Sequence, residues 1–341
     1  MEKTLGVGVV GIGWVAHQYI RAFAGHSRTR VRALCTRDPE KGRRTAEEYA
    51  LTRCNVYTDL GELLADDDVR VVCILTPNFL HFQQAVQVLR AEKHLLLEKP
   101  IAHNWSEVRD LERELRLHDV KTIVGFVLRW NSLFRNIDAV VSNGTIGSIL
   151  HAEIDFMLPM DDSLACYDWC AKVALGGSVL MQSGCHAVDA LRFFHSQPVR
   201  EVSAISARHR VDFDHDTTYA LNLRFKNGST GRVFCTYDTA HPYTFSIRLY
   251  GTKGTVCNDR LWAPTLFPGQ TDWIRMPSVM PDTADVAHHP FPDLVRHFAA
   301  CILNDTDPAP SIRDTVHHFE IIEAAERSAR LEGAPVLLPL Q

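Results

Sequence analysis

Hydrophobic positions along this chain change rhythm once, near residue 125. Before that point, short apolar runs alternate with amphipathic stretches. Leu5 to Gly11, Val31 to Cys35, Val69 to Leu75, His94 to Leu97 and Ile123 to Phe126 are brief runs in which mainly β-branched or leucine side chains follow one another. Strands buried on both faces have this signature. Between them the periodicity predicts helices over residues 14–25, 40–50, 79–90 and 106–118, the last with Asn104 and Glu107 at the spacing of an N-terminal capping pair. Strands alternating with helices predict a doubly wound parallel sheet.

Beyond residue 125 the strand-like segments follow one another directly: Ile149 to Phe156, Val199 to His209, Thr217 to Lys226, Gly231 to Asp238 and Phe245 to Tyr250. Lys226-Asn227-Gly228-Ser229 and Gly251-Thr252-Lys253-Gly254 read as hairpin turns, so a mostly antiparallel sheet is predicted. One helix, Gly184 to His195, interrupts this half. Ala263 to Pro292 is proline-rich and aperiodic, and two helices close the chain, over 292–304 and 312–331. The predicted fold class is α/β, with domains over 1–124 and 125–341; the C-terminal helix is a candidate to pack back on the first domain.

The first candidate chemistry sits where the first strand meets the first helix. In Gly11-Ile12-Gly13-Trp14-Val15-Ala16, the first glycine permits a tight turn and the second admits a pyrophosphate against the backbone. Ala16 is small enough to replace the third glycine of the dinucleotide fingerprint, and the helix N-terminus offers N–H groups to phosphate. Residues 1–124 are therefore read as a dinucleotide-binding domain. After the second strand, Thr36 stands where an acidic residue would bind the adenosine ribose, and Arg37 follows. A hydroxyl and a guanidinium suit a 2′-phosphate, which favours NADP(H); the alternative is NAD with Asp38 on the ribose.

Composition narrows the class without changing this picture. The chain has 341 residues, with 46% hydrophobic and 23% charged, and a formal net charge of −5. That balance gives no reason to expect nucleic acid or an anionic membrane as partner. No run approaches the ~18 apolar residues of a membrane span, and the N-terminus lacks the shape of a secretion signal. Nine cysteines, an odd number without paired spacing, read as reduced thiols, so a cytoplasmic location is expected. Cys166 and Cys170, with Cys185 and His186, lack the usual zinc-knuckle spacing, and no metal is expected.

Several further motifs share one order. Thr76-Pro77-Asn78-Phe79-Leu80-His81, Lys93 to Pro100 with Glu98-Lys99-Pro100 at its end, Asn143 to Gly147, Gly176-Gly177-Ser178 followed by Gly184-Cys185-His186-Ala187-Val188-Asp189, and Gly251 to Gly254 run in sequence. In this order and spacing they resemble the glucose–fructose oxidoreductase/inositol dehydrogenase (Gfo/Idh/MocA) family over nearly the whole chain. The resemblance implies a Rossmann domain followed by an α/β domain with an open, mostly antiparallel sheet. It also implies hydride transfer between nicotinamide and a secondary alcohol carbon of a sugar or polyol, and a homodimer or homotetramer formed through the second sheet.

By that resemblance Lys99 and His186 are the catalytic pair, His186 as base and Lys99 as holder of the hydroxyl oxygen. Pro77, Asn78 and His81, with Thr76, are expected to line the nicotinamide half of the cofactor. Glu98 is expected to orient cofactor groups or to form an ion pair within the protein. Gln182 stands where the family often carries Asp; it and Arg129 and Trp169 are the expected substrate contacts. Asp189 is expected to orient His186 or to favour the helix start. Glu92 replaces the glycine of the family's AGKH turn, which predicts a different helix end. Two other uses of this architecture stay open: a redox-assisted glycosidase or lyase with bound NAD(P), and a non-catalytic dinucleotide-sensing regulator. Intact Glu98-Lys99-Pro100 and His186 argue against the latter.

Overall fold

The computed structural model describes residues 4–164, 166–283 and 289–340. They divide into two compact units, residues 4–126 with 290–316, and the described residues of 127–289 with 317–340. The first unit is thus discontinuous in sequence. Residues 284–288 of the aperiodic Ala263–Pro292 stretch lie outside the described residues.

The first unit holds β1 (Leu5–Val10), α1 (Ala16–Gly25), β2 (Thr29–Cys35), α2 (Pro39–Glu48), β3 (Asn55–Tyr57), α3 (Leu60–Leu64), β4 (Val71–Ile74), α4 (His81–Arg90), β5 (His94–Leu97), α5 (Trp105–Leu115) and β6 (Thr122–Val124). The six strands form one parallel sheet in the order β3-β2-β1-β4-β5-β6. Every residue of β1 and β4 is buried, as strands covered by helices on both faces must be. The strand order reverses between β1 and β4, the position where open α/β sheets bind ligands at the carboxyl ends of their strands. Asn104 caps α5 by accepting the Glu107 N–H at 3.0 Å, and Glu107 accepts the His103 N–H in return. The predicted change of helix end at Glu92 does not occur. Glu92 itself takes the left-handed conformation, φ +52°, and its carboxylate meets His118 Nδ1 at 2.7 Å.

The second unit holds α6 (Ser132–Ser142), β7 (Ile149–Met157), α7 (Tyr167–Cys170), α8 (Val173–Gly176), α9 (Cys185–Phe194), β8 (Val199–Ala207), β9 (Thr218–Phe225), β10 (Thr230–Thr236), β11 (Thr244–Gly251), β12 (Thr255–Cys257), β13 (Arg260–Trp262), β14 (Ile274–Arg275) and β15 (Val336–Leu337). The nine strands make one sheet, ordered β14-β13-β12-β11-β7-β10-β9-β8-β15. All pairs are antiparallel except β10 with β7. Across its centre Ala204, Leu221, Val233, Ile154 and Ile247 lie in register and are buried. Helix α9 packs on β7 and β10. The adjacent row, Ser203, Asn222, Arg232, Glu153 and Arg248, points to the other face, where Arg232 and Arg248 pair with Asp155 and Glu153. The alternation buries one face and leaves a charged one. Two more helices follow, α10 (Phe291–Asn304) and α11 (Ile312–Arg330). In the first unit α10 packs on α1, with Phe291 edge-on to Tyr19. No described helix is long and apolar enough to cross a membrane.

Candidate active site

In the first unit three loops leave neighbouring strands at one edge of the parallel sheet. The turn after β1 begins at Gly11, whose φ of +89° disfavours any side chain and where a Cβ would stand 3.0 Å from the Leu75 backbone. A Cβ on Gly13 would meet nothing within 4 Å, so the turn's backbone borders open space at the start of α1. Such a cradle beside a helix N-terminus fits a pyrophosphate. Ile12 turns its side chain into the core, Val15 is half-buried, and Trp14 is 54% exposed. At the end of β2, Arg37 is exposed, and Thr36 Oγ1 accepts the Asp38 N–H at 3.3 Å. One Asp38 carboxylate oxygen accepts the Lys41 N–H and so caps α2.

The loop after β4 carries Thr76, Pro77 and Asn78. Thr76 donates its hydroxyl hydrogen to Gln84 Oε1 at 2.6 Å, and the buried Asn78 starts a 3-10 turn. The His81 ring is buried, with Nδ1 2.6 Å from the Pro100 carbonyl and Nε2 2.8 Å from the Thr76 carbonyl. It bridges the loop after β4 and the loop after β5, and as a neutral imidazole it donates to one of the two carbonyls at a time. Burial pushes its pKa down, against the two carbonyls.

The loop after β5 carries Glu98, Lys99 and a cis Lys99–Pro100 bond. Glu98 is buried: Oε1 accepts the Tyr19 hydroxyl at 2.6 Å and Oε2 accepts the Lys99 N–H at 3.0 Å. Its carboxylate therefore holds the Lys99 backbone in place. Burial pushes the carboxyl pKa up; the Lys99 charge and the Tyr19 bond pull the other way. A Cβ on Gly125 would stand 2.5 Å from Glu98 Oε1, so this glycine leaves room for the pair. Tyr19 and Gly125 escaped sequence reasoning; their role depends on the distant Glu98. Lys99 itself is half-buried.

In the second unit a five-residue π-turn, Leu180–Gly184, runs directly into α9. Such turns recur at functional sites. His186 is buried in the first turn of α9, and its ring stacks on Phe156 at 6.0 Å and 20°. Gln182 is not a free substrate contact. Its Nε2 donates to Cys170 O and Gly177 O, both at 2.9 Å, and its Oε1 accepts the Tyr237 hydroxyl at 3.1 Å. Arg129 is likewise committed. It clasps Asp189 through Nε and Nη2 at 2.6–3.2 Å and lies 5.1 Å over the Phe193 ring. Asp189 is thereby engaged by Arg129. His318, which sequence reasoning missed, places Nδ1 3.4 Å from the same carboxylate. Trp169 is half-buried on α7. Among the described residues no group of three or more His, Cys, Asp or Glu side chains converges as a metal site. A cleft of about 440 Å³ along β11–β14, lined by Tyr250, Trp262 and Trp273, contains none of these residues.

The family model described as an oxidoreductase family with an NAD-binding Rossmann fold matches residues 5–126, and that of the GFO/IDH/MocA C-terminal domain matches residues 134–257. A 2,7-anhydro-N-acetylneuraminate hydratase of Mediterraneibacter gnavus is 30% identical over 258 residues, 74% of this chain and 67% of its own. A myo-inositol 2-dehydrogenase of Thermotoga maritima is 24% identical over 265 residues, 76% of this chain and 77% of its own. A solved levoglucosan dehydrogenase, in complex with NADH and levoglucosan, shares the fold with a TM-score of 0.87 at 21% identity, over 99% of this chain and 100% of its own.

Proposed function

This chain belongs to the GFO/IDH/MocA family of NAD-binding oxidoreductases, and from that premise we propose that it interconverts a secondary alcohol and a ketone on a sugar, polyol or sugar derivative. The observation that carries the reading is the sheet edge of the first unit. There the Gly11–Val15 turn, the Thr76–Asn78 turn and Lys99 leave three adjacent strands, β1, β4 and β5.

A bound nicotinamide supplies the two-electron hydride acceptor. Oxidising a CH–OH group also releases one proton, and that proton needs a base. His186 takes it, its ring orientation fixed by the stack on Phe156. The Lys99 ammonium holds the hydroxyl oxygen and stabilises the negative charge that builds on it. Glu98 fixes the Lys99 backbone from within the first unit. Gln182 takes no part in proton transfer, since an amide cannot accept the proton.

The preferred nucleotide is NADP(H). The support is the exposed Arg37 beside Thr36, together with an Asp38 carboxylate turned to capping α2. The relative named a hydratase supports one second reading, bond cleavage or hydration assisted by transient oxidation on bound nucleotide. Turnover without added nucleotide would mark it.

The test is a titration of protein fluorescence with NADP⁺ and NAD⁺, then a screen of polyols and sugars for absorbance change at the reduced-nicotinamide band. Lys99→Ala should keep nucleotide affinity and lose turnover by roughly 10²–10⁴-fold. Wild-type turnover in that variant would overturn the proposal.

A further inference from the structure

Gln182 is four residues before His186, in the π-turn that opens α9, yet its amide points back into the protein. Both amide hydrogens have a direction: one toward Cys170 O, at the end of α7, the other toward Gly177 O, just past α8. The amide oxygen accepts the Tyr237 hydroxyl, which also lies 2.6 Å from Ser183 Oγ. All three side chains are buried. Two carbonyls on one side and a hydroxyl on the other demand a group that donates twice and accepts once. A carboxamide does this; an ionised carboxylate only accepts, and would face two carbonyl oxygens. Gly176 belongs to the same arrangement, because a Cβ there would overlap Gln182 Nε2.

We propose that Gln182 is a positioning residue: its amide ties residues 170–177, which follow Trp169, to the turn that opens the His186 helix, and it neither touches substrate nor carries a proton. The role in turnover rests on the hydride-transfer reading above; the tie itself does not. The residue type is thereby explained by the backbone it holds. The position ties a loop, and the proton work stays with His186.

The experiment uses the full chain and compares Gln182→Ala, Gln182→Glu and Gly176→Ala with wild type. Amide exchange over residues 171–177 is read by mass spectrometry, nucleotide affinity by fluorescence with NADP⁺, and kcat and KM with the best substrate of the screen across pH. All three variants should speed exchange in 171–177 by at least about tenfold. They should raise KM more than they lower kcat, leave NADP⁺ affinity within about twofold, and keep the acid limb of the pH profile where wild type has it. Gly176→Ala leaves Gln182 itself intact, so it serves if the Gln182 variants fail to fold. Unchanged exchange protection with lost turnover would overturn the proposal in favour of direct substrate contact. Gln182→Glu more active than wild type, with an added ionisation on the acid limb, would overturn it in favour of a proton carrier. A wild-type chain inert toward every alcohol tested would sink the hydride-transfer reading, while the exchange data would still decide the tie.

Discussion

Removing one member of the Arg129–Asp189 pair should cost far more than removing both. The Asp189 side chain is 3% exposed and that of Arg129 15%, and three N–O separations fall between 2.6 and 3.2 Å. At about 3 Å and an effective dielectric near 20, the attraction is roughly 5 kcal/mol before desolvation is subtracted. Burial works against the charges and pushes the Asp189 carboxyl pKa up even with the guanidinium beside it. The net worth of the pair is therefore small, but the cost of orphaning Arg129 is not. Asp189→Leu should lose about 3–5 kcal/mol, which for a unit of this size lowers Tm on the order of 10 °C. Arg129→Met with Asp189→Leu should recover most of that loss. Arg129→Met alone adds a pH signature. The orphaned Asp189 binds a proton more readily folded than unfolded, so its deficit is largest near neutrality and shrinks as pH falls. Calorimetry and urea unfolding at several pH values measure all three variants. A loss below about 1 kcal/mol in Asp189→Leu, or a double variant no better than the single, would refute the account.

Three further outcomes follow from named contacts. Arg37→Ala should weaken NADP⁺ about tenfold or more while changing NAD⁺ little; equal losses in a fluorescence titration would contradict the cofactor preference. Gly125→Ala places a Cβ 2.5 Å from Glu98 Oε1, so it should displace the carboxylate from Tyr19 and the Lys99 N–H, lowering both Tm and kcat; a variant matching wild type in melting and turnover would show the space to be unneeded. His195 is buried against Phe225 with Nε2 2.7 Å from Ser229 Oγ, and burial lowers its pKa from 6.5 to about 4. The unfolded chain therefore takes the proton first, so the stabilisation is complete above pH 6.5 and is lost as pH falls toward 4, by roughly 3 kcal/mol. His195→Asn should flatten that part of the stability–pH curve, and an unchanged slope in urea midpoints would remove His195 as its cause.

The sequence alone determined what short-range physics controls. Consecutive apolar positions marked β1, β4 and β5 because a strand covered on both faces cannot afford polar residues. Gly11 announced its turn because few other residues adopt φ +89°. Short strands such as β3 and β14 carried too few residues to show a period, and α6 was lost among mixed apolar positions. The motifs placed Lys99, His186 and the glycine turn, but not what surrounds them. Only the tertiary structure decided that His81 spans two carbonyls, that Gln182 is consumed by Cys170, Gly177 and Tyr237, and that Arg129 belongs to Asp189, 60 residues away. A side chain's type lists the bonds it can make; which of them it makes depends on where distant backbone carbonyls and charges point, and those directions exist only once the chain has folded.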